Sequence, residues 1–531
     1  MTPRTRTTVV RCALLVGLVL ASEGIYKARR VFIASFFVDG AVVSDTPVWP
    51  SAPVGDGLRP VARVRVVLLD GLSRAHAMRL PQLSAICRAG QEIRLDVGFP
   101  TVSLPVQHAL WTGLTQQQSG FQHHAGKLPS PPSHSSPSQV DSVAVAESHP
   151  EIVHSFGFTR TLPPDDGRPV DEVITPRWRA AGFASAAHEA IVSPARLAFV
   201  HVLRIDEAGH AYGGASLRYG AAAAWSDALL GVLHAAAPAD PATLWVVLAD
   251  HGHLRAGGHA GPEPEIRLVR ACVAGGGVAP GPEASMHLID LARAVAEALE
   301  VTLDPTAVGR PWAAALADPA RGATLPRPGP ARWLLAGLFA ALGLLSLRTG
   351  DSRHVRWARL RGKLHWPPIA LDGPRWLTPT LGLGWLALAT VGVVVQCGWP
   401  TLSNPAIYPP MGRDLLYAGA PAWVALLLLT GASVTRWRCT DAALVRAVLL
   451  PWSLALITAL LLSRTPDAIV YGVPPLMPWT TGLASMLLVQ GRAACMVMAL
   501  LLGIRGGLAV WRHLRRRARP ARAGQPGADL A

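Results

Sequence analysis

The stretch "VRVVLLD", Val64 to Asp70, is a short and mainly apolar run of aliphatic residues that ends in an aspartate. Runs of this kind are typical of strands buried in a parallel sheet. Three more runs have the same character: "LAFVHVLRID" (Leu197–Asp206), "TLWVVLAD" (Thr243–Asp250) and "IRLVRACVAGGG" (Ile266–Gly277). Segments of helical length and composition alternate with them, at Ser216–Ala237 and His287–Glu300. The pattern predicts an α/β sandwich with a mostly parallel sheet.

Polar residues follow these strands at the ends where ligands bind in open α/β sheets. Three predicted strands end in aspartate, at Asp70, Asp206 and Asp250. Carboxyl ends of parallel strands meet at one edge of the sheet. We therefore expect the three carboxylates to lie close together.

Histidines accompany these aspartates, at His210, His251 and His259. Three carboxylates, three imidazoles and a hydroxyl from Ser103 or Thr101 form a natural ligand set for two borderline divalent cations such as zinc, with manganese as an alternative. Two such cations can clamp a phosphoryl group. Each aspartate–histidine motif alone could equally be part of an ordinary turn. The prediction of a metal site therefore depends on several such motifs following predicted strands in order.

The segment "FPTVSLPVQHALWTG", Phe99 to Gly113, contains both candidate hydroxyls. Proline is accepted in the first turn of a helix, so Pro105 places Ser103 near a helix N-cap. The helix dipole there favours an alkoxide and an arriving phosphate. Thr101 falls on a strand-like approach. Ser103 is thus either a nucleophile or only a helix cap, with Thr101 as the alternative nucleophile.

The motif set resembles the alkaline phosphatase superfamily, in particular its type I phosphodiesterase/nucleotide pyrophosphatase branch and the membrane ethanolamine-phosphate transferases. The matching segments are "VVLLDGL" (Val66–Leu72), "FPTVSLPVQHALWTGL", "DEAGHAYG" (Asp206–Gly213) and "ADHGHLRAGGHAG" (Ala249–Gly261). The sequence contains no Cys-x-Pro-x-Arg segment, which disfavours sulfatase chemistry.

The resemblance implies a role for each matching residue. One metal would be held by Asp206, His210 and His259. The second would be held by Asp70, Asp250, His251 and the oxygen of Ser103, which is the implied nucleophile. His124, or its neighbour His123, could contact a phosphoryl oxygen or belong to a surface loop, while His253 is expected beside the ligands and His108 inside the helix.

Half of the residues are apolar, the mean hydropathy is +0.30 and the net charge is +15. The arginines cluster between apolar stretches instead of lining one face with interleaved aromatics, which excludes nucleic acid as the expected partner. Further apolar spans are predicted at Trp333–Leu347, Leu377–Gln396, Leu415–Thr435, Ala443–Ser463 and Thr481–Trp511.

Basic segments flank these spans and predict the topology. By the positive-inside rule, the N-terminus, the linker Arg348–Lys363, the turn Arg436–Arg438 and the tail face the cytoplasm. The predicted organisation is a signal anchor (1–30), a catalytic domain (60–315) with a Pro/Ser-rich insertion or cap (128–166), a linker (316–331), a transmembrane domain of about five helices (332–511) and a basic tail (512–531). Two soluble-domain cysteines, Cys87 and Cys272, could form a disulfide.

These features predict a multi-pass protein of the cytoplasmic membrane whose α/β domain lies on the extracytoplasmic, periplasmic side. The expected activity is that of a dinuclear-metal phosphodiesterase or phosphatase working through a phosphoseryl intermediate. Two alternatives stay open, a phosphoethanolamine-type transferase that modifies a lipid or a lipid-linked glycan, and a domain that binds such a ligand without catalysis. The expected partner is a phosphate ester, free or lipid-linked.

Overall fold

The computed structural model describes residues 3–38, 56–119, 134–148, 150–163, 180–255, 257–261, 263–317 and 477–517, with isolated positions between 391 and 459. Its strands are β1 (Arg63–Leu69), β2 (Gln91–Asp96), β3 (Ser142–Ala146), β4 (Arg160–Leu162), β5 (Leu197–Val202), β6 (Thr243–Leu248), β7 (Leu268–Gly275) and β8 (Gly281–His287). The helices are α1 (Pro3–Val38), α2 (Arg74–Ala77), α3 (Pro81–Ala89), α4 (Ser103–Thr112), α5 (Gln116–Ser119), α6 (Pro150–His154), α7 (Ala180–Val192), α8 (Arg204–Tyr212), α9 (Leu217–Ala236), α10 (Pro264–Arg267), α11 (Leu288–Leu299), α12 (Trp312–Ala317) and α13 (Met477–Arg517).

The strands form one eight-stranded sheet in the order β4-β3-β5-β1-β6-β7-β2-β8. All neighbouring pairs are parallel except the two made by β7, which runs antiparallel to β6 and to β2. The prediction of a mostly parallel sheet is confirmed, but the expectation that "IRLVRACVAGGG" is a parallel strand is wrong. A buried antiparallel strand is as continuously apolar as a parallel one, so its composition did not distinguish the two.

Helices cover both faces of the sheet. On one face α3, α7 and α9 pack together, and on the other α4 packs against α11. Helix α4 is buried along its whole length after Ser103, and its Trp111 meets Phe199 of β5 edge to face, with ring centroids 5.1 Å apart. A helix that is buried on all sides lies inside the core, even though α4 includes the polar Gln107 and His108. The packing therefore fixes α4, and with it the segment that carries the candidate nucleophile.

Four strands were not predicted from the sequence. The interval 128–166 was predicted to be an insertion or cap, yet its described part contains β3 and β4, and β3 lies between β4 and β5 in the sheet. Ser135, Ser136 and Ser142 in the same interval are fully buried. The described part of this interval thus contributes two strands to the central sheet and is not an insertion or cap alone. Strands β2 and β8 are missed because "QEIRLD" and "GPEASMH" are mostly polar or small.

Among the residues that the structure describes, two helices are long and apolar enough to cross a membrane, through Thr8–Arg29 in α1 and Leu483–Trp511 in α13. They pack side by side: Arg29 Nε donates to Ser485 Oγ at 3.1 Å, while Arg11 lies beside Gly506. This register makes the pair antiparallel. The other predicted spans lie outside the described residues, apart from isolated positions.

Cys87 of α3 and Cys272 of β7 are joined by a disulfide. Both residues are buried in the apolar core between this helix and the sheet. The bond links positions 185 residues apart in the sequence, so it closes a long loop of the unfolded chain.

Candidate functional site

Three adjacent parallel strands, β5, β1 and β6, bring the predicted site residues together. Asp70 directly follows β1, and Asp250 and His251 follow β6 after Ala249. Asp206 was predicted to end a strand, but β5 ends at Val202 and Asp206 lies in the first turn of α8. Helical spacing then places His210 one turn after Asp206 on the same face. All three carboxylates nevertheless meet at the carboxyl edge of the sheet.

Gly71 allows the loop after β1 to approach α8. Its φ is +72°, and a Cβ at this position would lie 2.8 Å from the Cα of Asp206. Both the left-handed backbone and the missing space favour glycine here. The Gly71 N–H also donates to Asp250 Oδ1 at 3.1 Å, so one residue connects the loops after β1 and β6.

The first half of the site, called here the Asp70 group, consists of Asp70, Ser103, Asp250 and His251. Ser103 Oγ donates to Asp70 Oδ1 at 3.3 Å and lies 3.1 Å from His251 Nε2. His251 Nε2 lies 3.4 Å from Asp70 Oδ1 and 3.9 Å from Asp250 Oδ1. The ligand atoms of Asp70, Asp250 and His251 lie within 4.8 Å of one another, close enough to share a metal ion.

The second half, called the Asp206 group, consists of Asp206, His210 and His259. His210 Nε2 lies 3.2 Å from Asp206 Oδ2 and 3.0 Å from His259 Nε2. His259 Nε2 lies 3.6 Å from Asp206 Oδ1. His251 also approaches Asp206, at 3.9 Å. The two groups therefore share a border, as two metal sites a few ångströms apart require.

Ser103 and Thr101 have different environments. Ser103 is the first residue of α4, follows Val102 at the N-cap and is partly exposed. Thr101 is fully buried, and its Oγ1 donates to the Gly261 carbonyl at 2.8 Å while accepting from the Ala260 N–H at 3.0 Å. The Thr101 hydroxyl thus has a backbone donor and a backbone acceptor, whereas the Ser103 hydroxyl faces the carboxylate and imidazole of the Asp70 group.

The carboxylates of the two groups have opposite pKa shifts. Burial, reinforced by Asp250 and Asp206, raises the pKa of Asp70 well above its ordinary value. Burial likewise raises the pKa of Asp250 to about 6, although His201 opposes the shift. Burial would also raise the pKa of Asp206, but His210, followed by His253 and His259, lowers it well below the ordinary value.

The imidazoles of His251 and His259 are oriented by backbone carbonyls. His251 Nδ1 lies 3.1 Å from the Gly252 oxygen, and His259 Nδ1 lies 2.8 Å from the Thr101 oxygen. Because a carbonyl only accepts, both Nδ1 atoms carry the proton and both Nε2 atoms direct a lone pair toward the carboxylates. Burial lowers the pKa of His251 to about 3, which keeps this ring neutral.

This donor set fits two divalent cations. The ligand atoms are carboxylate oxygens and imidazole lone pairs, the chemistry that zinc and manganese accept. The Asp70 group places two buried carboxylates near each other, and a bound cation would offset their repulsion. Backbone carbonyls behind ring nitrogens are the usual outer support of metal-binding histidines.

Several residues around the site were not found from the sequence. His201 of β5 lies 2.6 Å from Asp70 Oδ2, and Gln107 of α4 donates to Asp250 Oδ2 at 3.5 Å. Glu147 Oε2 accepts the N–H groups of Leu203 and Arg204 at the start of α8. A single polar residue within an apolar strand or helix does not mark a functional site in the sequence. Histidines and glutamines that only pack in the core look the same there.

Two other predicted positions have different outcomes. His123 and His124 lie outside the described residues, so a phosphoryl contact by His124 stays a prediction. His108 was expected in the core or on the surface of the helix; it is buried within α4, and burial lowers its pKa to about 4.

The chain is similar to an inactive variant of murine ectonucleotide pyrophosphatase/phosphodiesterase 5 solved in complex with AMP, at 15% identity over 46% of this chain and 96% of that one, with a TM-score of 0.36. It is also similar to a Vibrio parahaemolyticus protein in the alkaline phosphatase superfamily (14% identity, 52% and 77% coverage, TM-score 0.35). A putative sulfatase from Bacteroides thetaiotaomicron matches at 14% identity, with 48% and 74% coverage and a TM-score of 0.38.

A search of curated proteins returned no significant match. Residues 115–256 match the sequence model of the type I phosphodiesterase/nucleotide pyrophosphatase family. The matched interval includes Asp206, His210, Asp250 and His251, while Asp70, Ser103 and His259 lie outside it. Over residues 115–256, the chain is thus confirmed to resemble the type I phosphodiesterase/nucleotide pyrophosphatase family.

Proposed function

We propose that this chain is a membrane-anchored, dinuclear-metal phosphodiesterase or phosphatase that uses Ser103 as its nucleophile. The observation that carries the proposal is the position of the Ser103 hydroxyl. It lies at the first turn of a buried helix, 3.1 Å from His251 Nε2 and 3.3 Å from Asp70 Oδ1. The match of residues 115–256 to a phosphodiesterase family supports the reaction class.

In this proposal the two groups hold one cation each. Asp206, His210 and His259 hold the first, while Asp70, Asp250, His251 and the Ser103 oxygen hold the second. When bound, the cations supply positive charge that favours the serine alkoxide and neutralises the phosphoryl oxygens. The N-terminus of α4 adds its N–H groups and dipole at the same place.

The reaction has two displacements at phosphorus. Ser103 Oγ forms a bond to phosphorus as the ester P–O bond breaks, and the departing alcohol takes up the proton that the serine loses. Asp70 Oδ1, which accepts the Ser103 hydroxyl hydrogen, lies in position to receive that proton first. A water oxygen then bonds to phosphorus, the bond to Ser103 Oγ breaks, and the serine regains a proton from that water.

Two features support a membrane location with the α/β domain outside the cytoplasm. The antiparallel pairing of α1 and α13 puts the basic start of α1 at the same end as the basic end of α13, as the positive-inside rule requires if both helices span. The disulfide between Cys87 and Cys272 belongs to an oxidising compartment.

Transfer to a lipid alcohol is the second candidate function. Hydrolysis and transfer share the phosphoseryl stage and differ only in the acceptor, so both use the same side chains. The two apolar helices favour a substrate that reaches the site from the membrane, since they would hold the catalytic domain at its surface.

The test is turnover of a bis-aryl phosphodiester by the purified full-length chain supplied with zinc or manganese. We expect hydrolysis by the wild type and loss of hydrolysis in Ser103→Ala. Release of the aryl alcohol only when a lipid alcohol is added would favour the transferase. Inactivity of wild type and variant alike, with both metals and with the lipid alcohol, would contradict both functions.

A further inference from the structure

His253 lies against the Asp206 group and has the spacing of a metal ligand. Its Nε2 is 2.7 Å from Asp206 Oδ1, and Asp206, His210 and His253 are close enough to hold an ion together. With His253, three histidines therefore surround the Asp206 carboxylate, whereas the proposed cation of the Asp206 group takes only two of them. The hydrogen-bond partners of the rings distinguish the ligands from the third residue.

The other nitrogen of His253 decides its role. Nδ1 accepts the backbone N–H of Gly258 at 3.1 Å. A backbone N–H can only donate, so Nδ1 must present its lone pair to it. In the neutral ring the single proton is then on Nε2, and Nε2–H donates to Asp206 Oδ1. Were Nε2 to bind a metal, the ring proton would move to Nδ1 and face the Gly258 N–H, donor against donor.

His251 and His259 show the opposite arrangement. Their Nδ1 atoms meet carbonyl oxygens, of Gly252 and Thr101, which leaves the proton on Nδ1 and the lone pair on Nε2. The three rings thus form two classes, set by whether a carbonyl or an N–H lies behind Nδ1.

We propose that His253 is a positioning residue, which holds the Asp206 carboxylate through Nε2–H and does not bind the metal. The proposal rests on the metal-dependent function proposed above and deepens it, because it excludes the third nearby histidine from the ligands of the first cation and gives it a separate role.

The surrounding backbone is shaped to hold the His253 ring. A Cβ on Gly209 of α8 would lie 2.5 Å from the ring, and a Cβ on Gly214 would lie 2.9 Å from the His253 Cβ. The ring also meets Tyr219 edge to face at 5.9 Å. Tyr219 in turn donates to the Gly71 carbonyl and accepts from the Ser73 N–H, so His253 is packed against the scaffold that supports Asp70.

The experiment is zinc titration of the metal-free, full-length protein by calorimetry, combined with X-ray absorption to count the imidazoles per zinc. In His253→Ala we expect two zinc ions per chain still to bind, one of them about 10- to 100-fold more weakly, as is usual when an outer support of a ligand is lost. In His253→Gln, whose amide N–H can replace Nε2–H, we expect most of this affinity to return. The imidazole count should be unchanged in both variants.

His259→Ala is the matched control, because it removes a proposed ligand from the same group. We expect it to lose one tight zinc ion and one imidazole. The inference is overturned if His253→Ala behaves like His259→Ala and His253→Gln fails to restore binding, or if His253→Ala binds both ions as tightly as the wild type. Failure of the wild type to bind zinc or manganese would overturn the proposed function itself. Should His253→Ala not fold, the affinity and imidazole count of His253→Gln decide.

Discussion

The Asp70 group and the Asp206 group use the same residue types but differ in how their charges are balanced. In the Asp70 group, Asp70 and Asp250 are fully buried and both have raised pKa values. In the Asp206 group, imidazoles surround a single carboxylate and lower its pKa. Without metal, the Asp206 group is therefore electrostatically satisfied, whereas the Asp70 group has an excess of negative charge that a cation would neutralise.

The buried carboxylates of the Asp70 group thus need positive charge that a bound cation would supply. These carboxylates cost stability unless a cation is bound, and the same cation charge is what a serine alkoxide needs. The partly exposed hydroxyl of Ser103 lies in this group, which places the proposed nucleophile in the half of the site with the greater demand for positive charge.

The largest expected effect comes from removing the Ser103 hydroxyl. Ser103→Ala should lower phosphodiester turnover by about 10³-fold or more, as loss of a nucleophile usually does, while both groups keep their metal ligands apart from the serine oxygen. Steady-state kinetics with zinc measures this. Ser138→Ala, at an exposed serine of another helical turn, is the control and should keep full turnover. Comparable activity in Ser103→Ala and the wild type would contradict the assignment.

Neutralising one carboxylate in each group should change the stability of the metal-free protein in opposite directions. The folded-state pKa of Asp250, about 6, exceeds its ordinary value of 3.8. Its ionisation thus costs stability that grows as pH rises through this window and is fully present above it. Asp250→Asn should therefore raise the thermal midpoint at pH 8 in a chelator.

In contrast to Asp250→Asn, Asp206→Asn should lower the stability of the metal-free protein. The lowered pKa of Asp206 means that its charge stabilises the fold above the unfolded-state pKa, and that this contribution is lost only in acid. Asparagine removes this negative charge and replaces one of the two acceptor oxygens that face the imidazoles with an N–H donor, which should cost about 3 kcal/mol at pH 8. Thermal unfolding in a chelator measures both variants, and shifts in the same direction would refute the difference between the groups.

How far the site was predictable differs between its parts. The apolar runs predicted β1, β5 and β6, and the residues just after them supplied Asp70, Asp250 and His251. The run containing β5 stays apolar to Ile205, so composition alone extended the strand to Asp206. Glu147 accepts the N–H groups of Leu203 and Arg204, and α8 begins there, before Asp206. This contact between distant residues has no local sequence signal.

The roles of the histidines were less predictable than their presence. "ADHGHLRAGGHAG" contains three histidines, and only the folded loop determines whether a carbonyl or an N–H faces each Nδ1. The different environments of Thr101 and Ser103 were easier to predict, because Pro105 marks the first turn of α4, which begins at Ser103.

A smaller effect is expected at Thr101. Its hydroxyl makes two buried backbone hydrogen bonds and supports the loop that carries His259. Thr101→Val should cost about 1–3 kcal/mol of stability, with turnover kept in the folded fraction, while Thr101→Ser should retain both bonds. Denaturation and kinetics together measure this. Complete loss of turnover in folded Thr101→Val, with Ser103→Ala still active, would show that Thr101 and not Ser103 is the nucleophile.

The smallest expected effect is at Gly209. In Gly209→Ala the new methyl group would meet the His253 ring, so we expect a several-fold loss of zinc affinity in the Asp206 group alone. Gly220→Ala, on α9 with open space around it, is the matched helical control and should be neutral or stabilise the fold by about 1 kcal/mol. Equal zinc affinity in both variants would contradict the claim that packing of Gly209 against the His253 ring supports zinc binding.

The proposed phosphoseryl intermediate on Ser103 can be tested most directly by trapping it. The full-length chain with zinc is mixed with a bis-aryl phosphodiester, quenched in acid within the first turnover, digested and examined by mass spectrometry. We expect phosphorylation of Ser103, absent from Ser103→Ala and from protein treated with a chelator. A phosphoryl group on Thr101, or a full turnover by the wild type that never modifies the segment Phe99–Gly113, would contradict it.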